Sequence, residues 1–186
     1  NAALTAKLDF SDVRIARARF PKIAFSASGK DGSMDASVML SQKDGSASVE
    51  AKGGLDWGAK VVPSVSTERA LEAKVLAKNL NAAAFLPFVS ALSDLDGRID
   101  ADASVTAGAD GKNVKMQGGI NFREGILGIP AVGQEFREAK AQIKLLPNGT
   151  VQLVEATARD ATGEFRLVAT AHFNDLSFAN AEATLT

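Results

Sequence analysis

Four aspartates stand close together in the middle of the chain, and they are the first candidates for chemistry: Asp94, Asp96, Asp100 and Asp102. Carboxylate oxygens are the ligands that Ca²⁺ prefers, and the Asp-Leu-Asp-Gly spacing resembles the start of a calcium-binding loop. Such a loop ends with a glutamate at its twelfth position, but the twelfth position counted from Asp94 is Val105. Asp100 and Asp102 instead fall on one face of a predicted strand. We therefore expect no metal site here.

His172 is the only histidine, and the chain contains no cysteine. Sites built from several His and Cys ligands are excluded by this count. A catalytic base needs a neighbouring nucleophile and an orienting acid. The alternation places His172 on the polar face of a strand beside Arg166 and Thr170, without such partners. The pattern favours a surface histidine, and we predict that the protein is not an enzyme.

The glycine-rich stretch Gly125–Gly133 could be mistaken for a phosphate-binding loop. It lacks the Gly-Lys-Ser/Thr ending and the strand–helix setting that phosphate binding requires. We interpret residues 123–134 as a bent crossing between strands. No cofactor is expected.

Composition narrows the class of protein further. The 186 residues are 46% hydrophobic, and 21 basic residues nearly balance 22 acidic ones without any long run of one sign. A nucleic-acid partner is therefore not expected. The longest apolar run, 82–89, is far below the ~20 residues that span a bilayer. We expect residues 1–186 to form a single β-rich segment, a fragment of a longer array.

Alternating residues dominate the chain and predict its fold class. From Ile99 to Val105 every odd position is apolar and every even position is polar. This period of two is typical of a strand with one dry and one wet face. The same alternation recurs in 4–10, 34–40, 139–145 and 165–173, with turns every ~8–15 residues. The chain is therefore predicted to be all-β, an antiparallel meander.

The turn at Pro147–Gly149 should fix the register of one hairpin. A two-residue Asn-Gly turn would put Ile143 and Leu145 on the face opposite Val151 and Leu153. A three-residue loop with Gly149 in the left-handed conformation puts all four on one face. Since a buried face sets the register, the three-residue loop is predicted.

One short helical segment is expected near residues 81–93. Phe85, Phe88, Val89 and Leu92 have helical spacing, and Asn81 is a candidate N-cap. Pro87 disfavours one smooth helix, so two short turns, or a helix beginning near Pro87, are predicted. Residues 58–67 are compatible with a strand and loop or with a crossing connection. Ala70–Ala77 is predicted as a strand, although its propensity would also permit a helix.

The order of these pieces resembles the TamB family of translocation-and-assembly-module proteins, a branch of the AsmA-like group. The similarity covers about half of the chain. The matching motifs, in chain order, are Asn79-Leu-Asn81, Leu86-Pro-Phe88, Leu95-Asp-Gly-Arg-Ile-Asp-Ala101, Gly118-Gly-Ile-Asn-Phe122, Ile126-Leu-Gly-Ile-Pro130, the Asn-Gly hairpin and Ala161-Thr-Gly-Glu-Phe-Arg-Leu167.

This resemblance implies a place and a role. TamB-like proteins are anchored in the inner membrane of the Gram-negative envelope, cross the periplasm and meet the outer-membrane assembly protein TamA. Their strands form a long curved sheet, a β-taco or half-pipe, with an apolar groove. They are implicated in outer-membrane protein translocation and assembly and in phospholipid transport between the membranes. The implied cargo is phospholipid acyl chains or unfolded outer-membrane β-strands.

We therefore expect a periplasmic conduit segment whose groove is lined by fourteen apolar residues: Leu8, Phe10, Ile99, Val105, Met116, Ile120, Phe122, Ile143, Leu145, Val151, Leu153, Phe165, Leu167 and Phe173. The alternative is a closed β-sandwich that serves as a binding or adhesin module, in which the same residues form a filled core. Alternation alone is compatible with both, because it defines a dry face without saying what covers it.

Overall fold

The computed structural model describes residues 3–56, 64–66, 68–109, 112–175 and 177–186. Within these ranges the chain is all-β, as the alternation predicted. The twelve strands are β1 Ala3–Ile15, β2 Ala18–Lys30, β3 Ser33–Ser41, β4 Ser46–Asp56, β5 Ser64–Ser66, β6 Leu71–Asn81, β7 Asp94–Ala107, β8 Lys115–Ile129, β9 Gln134–Leu146, β10 Thr150–Arg159, β11 Glu164–Asn174 and β12 Ser177–Leu185. The interpretation of 58–67 falls mostly outside the described residues.

All strands belong to one antiparallel sheet in the order β1-β2-β3-β4-β6-β7-β8-β9-β10-β11-β12, with the short β5 paired to β4. Consecutive strands are therefore neighbours, which is the predicted meander. β1 and β12 lie at opposite ends of this order, so the sheet is open rather than closed into a barrel. The strand predicted for Ala70–Ala77 is confirmed by β6.

The glycine-rich stretch is strand for most of its length, so its interpretation as a bent crossing is wrong. β8 continues to Ile129 and is followed by a 3₁₀ turn, Pro130–Val132. β8 continues through this stretch because Glu124 takes a left-handed conformation (φ 55°) at the point where the register with β9 shifts. A bulge of this kind absorbs the extra residue and lets pairing resume.

The hairpin between β9 and β10 is confirmed as a three-residue loop. Leu146 pairs with Thr150, and Gly149 has a φ of 78°. Ile143 faces Leu153 across the strand pair, and Leu145 faces Val151. All four apolar side chains therefore lie on one face.

The helical segment is a 3₁₀ helix, Ala82–Phe88, with Pro87 near its end. Asn81 is its N-cap, as predicted, and its side chain accepts a hydrogen bond from the backbone N–H of Ala83 at 2.8 Å. The predicted apolar face is wrong: Ala82 and Ala83 are fully buried, whereas Phe88 is 77% exposed. A helix with three residues per turn does not follow a spacing of three and four.

Phe85 and Val89 are exposed as well, and the predicted start of a helix near Pro87 is also wrong. The buried side of the helix consists of the three alanines 82–84, and Leu86 is partly buried. We call this end of the sheet the capped end. The opposite end, which carries the hairpin turns at 31–32 and 147–149, is the open end.

Several bulges lie toward the capped end. Asn79, Gly97, Glu124 and Glu138 have positive φ, and each lies at or beside a shift in strand register. Bulges bend a strand and increase its twist. They therefore bend β6 to β9 near the helix.

The most buried residues gather where the sheet curls around the helix. Phe20 of β2, Ala47 of β4 and Leu80 of β6 pack with Ala83 and Ala84 in one cluster. Flat strands as far apart as β2 and β6 would not reach one short helix. The face that carries the helix is therefore the inner face of a curved sheet.

Candidate functional site: the apolar face

Cross-strand register aligns apolar residues into rows that run across the whole sheet. One row has a member from each of eleven strands: Leu8, Phe25, Val38, Val49, Val75, Ala103, Gly118, Leu145, Val151, Ala171 and Ala181. Ten steps between neighbouring strands correspond to about 48 Å along the arc of the sheet. No polar side chain interrupts this row.

A second row lies two residues nearer the capped end and is equally apolar. Its members are Phe10, Ile23, Leu40, Ala47, Ala77, Ala101, Ile120, Ile143, Leu153, Ala169 and Ala183. Together the two rows contain seven of the fourteen residues expected to line a groove. The other seven share this face, because each lies an even number of residues from a row member on its own strand.

None of the fourteen side chains is buried. Leu8 and Phe10 are about half exposed, at 52% and 49%, and the other twelve are intermediate. By contrast, Phe20 and Leu80 beside the helix are 1% and 2% exposed. The helix therefore covers part of the inner face, whereas no second layer of described residues covers the rest.

The uncovered part includes an open depression of about 240 Å³ across β9 to β12. Its lining is mainly apolar and comes from both rows: Ile143, Val151, Leu153, Ala169, Ala171, Ala181 and Ala183, with Thr170 and Glu182 at its rim. Small alanines opposite larger aliphatic residues create this space.

The opposite face is polar and carries ion pairs. The row next to the first apolar row, one residue nearer the open end, is polar from β1 to β8: Lys7, Ser26, Ser37, Glu50, Lys74, Ser104 and Gln117. Exposed pairs such as Lys22–Asp9 and Arg166–Glu155 add to this face. The outer face is thus mainly polar, as the alternation indicated, although Met39 and Leu76 are exposed on it.

The four central aspartates have separate roles. Asp94 pairs with Arg17 at 3.1 Å, and Asp96 accepts hydrogen bonds from Asn81 and from the N–H of Gly97. Asp102 is exposed on the polar face. Within the described ranges, no group of three or more His, Cys, Asp or Glu side chains is arranged to hold a metal ion.

Asp100 joins three strands on the polar face. The backbone N–H of Asn79 donates to its carboxylate at 2.8 Å, and this bond is the main reason that the pKa of Asp100 is lowered. Partial burial opposes that effect, and the guanidinium of Arg123 on β8 adds to it from 3.1 Å. Arg123 also donates to the side chain of Asn79 at 2.9 Å. The cluster fixes the bulge in β6 and has a structural role.

His172 lies on the polar face, exposed, as the alternation predicted. Its Nδ1 is 3.1 Å from Oγ1 of Thr150, the residue opposite it on β10. Thr150 is buried and follows the hairpin loop. The contact therefore joins β10 to β11 at the open end.

Sequence reasoning missed the part of the inner face that is closed. Phe20 and the three alanines 82–84 were not among the candidate residues, yet all four are buried, and Ala82, Ala83 and Phe20 are at most 1% exposed. The only signal available was the alanine run itself. Helical spacing drew attention to the larger phenylalanines instead.

No helix in the described part of the chain is long and apolar enough to cross a membrane. No protein-family model matches the chain, and neither a curated protein nor a solved structure is significantly similar to it. The apolar inner face must therefore be interpreted from its own geometry and chemistry.

Proposed function

We propose that this chain is a non-enzymatic conduit segment whose apolar inner face carries phospholipid acyl chains. One observation carries the proposal: two uninterrupted apolar rows cross eleven strands, and no second layer of described residues covers most of their large side chains. Monomeric proteins rarely expose a contiguous apolar surface of this kind unless it binds something.

The chemistry of the face fits an acyl chain. Such a chain presents only CH₂ groups, so it needs apolar contact and no directional hydrogen bonds. Each CH₂ removed from water contributes about 0.8 kcal/mol. Because the rows have no polar interruption, a chain could shift along them while keeping nearly the same contact area. The polar outer face meanwhile keeps the sheet hydrated.

The resemblance to TamB-like proteins supports a location for this activity. On that basis the segment belongs to the periplasmic part of an inner-membrane-anchored protein and acts with the outer-membrane assembly protein TamA. Phospholipid would then pass between inner and outer membranes. The open, curved sheet is the architecture that the resemblance implied.

A second cargo, an unfolded outer-membrane β-strand, is favoured by one further observation. Every residue of β12 from Ser177 to Leu185 is exposed, and this strand lies at the edge of the sheet. An edge strand presents unpaired backbone groups that can pair with an added strand. Such a strand would place alternate apolar side chains on the same inner face.

A closed β-sandwich is the competing architecture. It requires a second layer that buries Leu145, Phe165 and their neighbours to the degree seen at Phe20. The partial exposure of these residues supports the open groove instead.

Native mass spectrometry of the purified protein tests the proposal. We expect adducts with the masses of phospholipids that dissociate on activation and are regained after delipidation and incubation with phospholipid vesicles. A matched sample of Leu145→Arg, which puts a charge in the central row, should regain far less. Absence of lipid from wild-type protein, before and after incubation, would contradict the proposed function.

A further inference from the structure

The 3₁₀ helix Ala82–Phe88 occupies the same surface that is proposed to bind lipid. Its buried alanines pack in a cluster with Ala47, and the partly buried Ile23, Leu40 and Ala77 pack against that cluster. These four are consecutive members of the second apolar row. The helix therefore covers one stretch of the second row. The same row remains open further along the sheet, at Ile143 and Leu153.

The apolar contact that holds the helix is small. Three alanines are its only buried residues, whereas Leu86 is partly buried and Phe85 and Phe88 are exposed. Apolar stabilisation grows with the area removed from water, so three methyl groups contribute much less than leucine or phenylalanine side chains would. An acyl chain in the same place could contact Ile23 and Leu40, which the helix leaves only partly buried.

A polar latch at Asn81 supplies the remaining attachment. Oε1 of Gln42 accepts from the N–H of Asn81 at 2.7 Å, and Oδ1 of Asn81 accepts from the N–H of Ala83 at 2.8 Å. The amide group of Asn81 also donates to Asp96 at 3.1 Å. Nε2 of Gln42, however, is buried without an acceptor among the described residues. An unpaired buried donor destabilises the closed latch, and opening would return it to water.

The backbone around the helix permits movement without disturbing the sheet. Val89 bonds to Leu86 and Leu92 bonds to Val89, which are local contacts, and the next bond to a strand is from Ser93 to Gly128. Between Asn81 and Ser93, no backbone hydrogen bond to another strand is found among the described residues. The segment can therefore swing outwards while β6 and β7 keep their pairing.

From these observations we propose that Ala82–Phe88 is a displaceable stopper, which competes with an acyl chain for the capped end of the inner face. With the stopper seated, lipid reaches only the uncovered part of the rows. With the stopper released, the second row is open from β1 to β12. This inference rests on the proposed function and adds regulation to the same site.

Loosening the latch tests the stopper. Asn81→Ala removes both the cap and the bond to Asp96. Loss of a cap of this kind should shift the equilibrium between the seated and the released helix by about fivefold toward release. We expect faster amide hydrogen exchange at Ala83 and Ala84, and about fivefold tighter binding of pyrene-labelled hexadecanoic acid. Ala83→Asp, which puts a charge into the seat, should release the helix by another route and give the same gain. Slow exchange in β8 and β9 will verify that the sheet stays folded.

Asn148→Ala is the matched control, because Oδ1 of Asn148 accepts one backbone hydrogen bond, from Thr150, at the open end. Exchange should change only near that hairpin, with no gain in probe binding. If Asn81→Ala and Ala83→Asp accelerate amide exchange in the helix without tighter binding of the probe, the stopper is refuted, whereas the proposed conduit function is not affected. If Asn81→Ala leaves helix exchange unchanged, the latch is refuted. If the wild-type protein and both variants bind no probe, the proposed function itself fails.

Discussion

The guanidinium of Arg17 lies 3.1 Å from the carboxylate of Asp94, although three strands separate β2 from β7 in the sheet. On a flat sheet, strands four steps apart would be about 19 Å from each other. Arg17 belongs to the turn after β1, and Asp94 begins β7. Their contact therefore requires the capped end to curl, which brings both sides of the inner face to the 3₁₀ helix.

We expect this ion pair to be a consequence of the curl rather than its cause. Arg17 is largely exposed, and exposed ion pairs contribute about 0–1 kcal/mol. A double-mutant cycle of Arg17→Ala and Asp94→Asn, measured by denaturant unfolding, should give a coupling energy in that range that falls with added salt. A coupling above about 2 kcal/mol would mean that the pair itself holds the sheet curved.

Replacement of Gly149 is predicted to destabilise the protein strongly. A Cβ there would lie 2.4 Å from the backbone oxygen of Phe173, in addition to the left-handed strain at φ 78°. Gly133 has a similar φ of 65°, but no atom of the described residues lies within 4 Å of the added atom. Gly133→Val should therefore cost about 1–2 kcal/mol from strain alone, and Gly149→Val about 3 kcal/mol or more. Equal losses in chemical denaturation would show that the close approach to Phe173 is unimportant.

The stability of the Asp100 cluster should depend on pH. The pKa of Asp100 is lowered in the folded protein, first by the N–H of Asn79. A lowered folded pKa contributes stability above the unfolded value of about 3.9, and this contribution is lost as the pH falls through the folded value. Asp100→Asn should lower the melting temperature at pH 7, with a difference that shrinks below about pH 4. Asp102→Asn, exposed on the same face, should change the melting temperature little at either pH.

Removal of the His172 side chain should be tolerated. The contact with Thr150 is a single hydrogen bond at the open end, so His172→Ala should cost only about 0.5–1.5 kcal/mol. Lipid binding should match that of wild type, because the side chain lies on the outer face. Loss of lipid binding in a protein with an unchanged melting curve would reopen the question of a functional role for this histidine.

The strands could be predicted from sequence because alternation is a local property. Ile99 to Val105 specifies its own dry face, and the hairpin at Gly149 follows from turn chemistry and register. The alternation even predicts which residues share a row once neighbouring strands pair. These features need no knowledge of distant contacts.

The closed part of the inner face could not be predicted in the same way. Burial of Phe20 depends on residues 82–84, which are more than sixty positions away in the chain. Whether a dry face is covered is decided by long-range curvature, and the bulges at Asn79 and Glu124 that produce it have no strong sequence signal. Alanine also occurs at both exposed and buried positions, so the alanine run 82–84 did not by itself predict a buried contact.

Arginine substitutions distinguish an open groove from a closed core, and the chain supplies matched pairs for the comparison. Leu145 and Phe165 lie on the uncovered inner face, whereas Leu80 and Phe20 are buried beneath the stopper. At Leu80 and Phe20, arginine would bury an unpaired charge at a cost of several kcal/mol, out of a typical total stability of about 5–15 kcal/mol. We expect Leu80→Arg and Phe20→Arg to unfold or fail to accumulate.

At Leu145 and Phe165 the long basic side chain can reach water along the open face, so each change should cost only about 1–3 kcal/mol. The charge would nevertheless interrupt the apolar rows, and lipid retention should fall sharply in protein that remains folded. Thermal unfolding and retained phospholipid should be measured on the same samples. If Leu145→Arg and Phe165→Arg unfold as completely as the variants at Leu80 and Phe20, the inner face is a filled core. In that case the closed sandwich replaces the conduit.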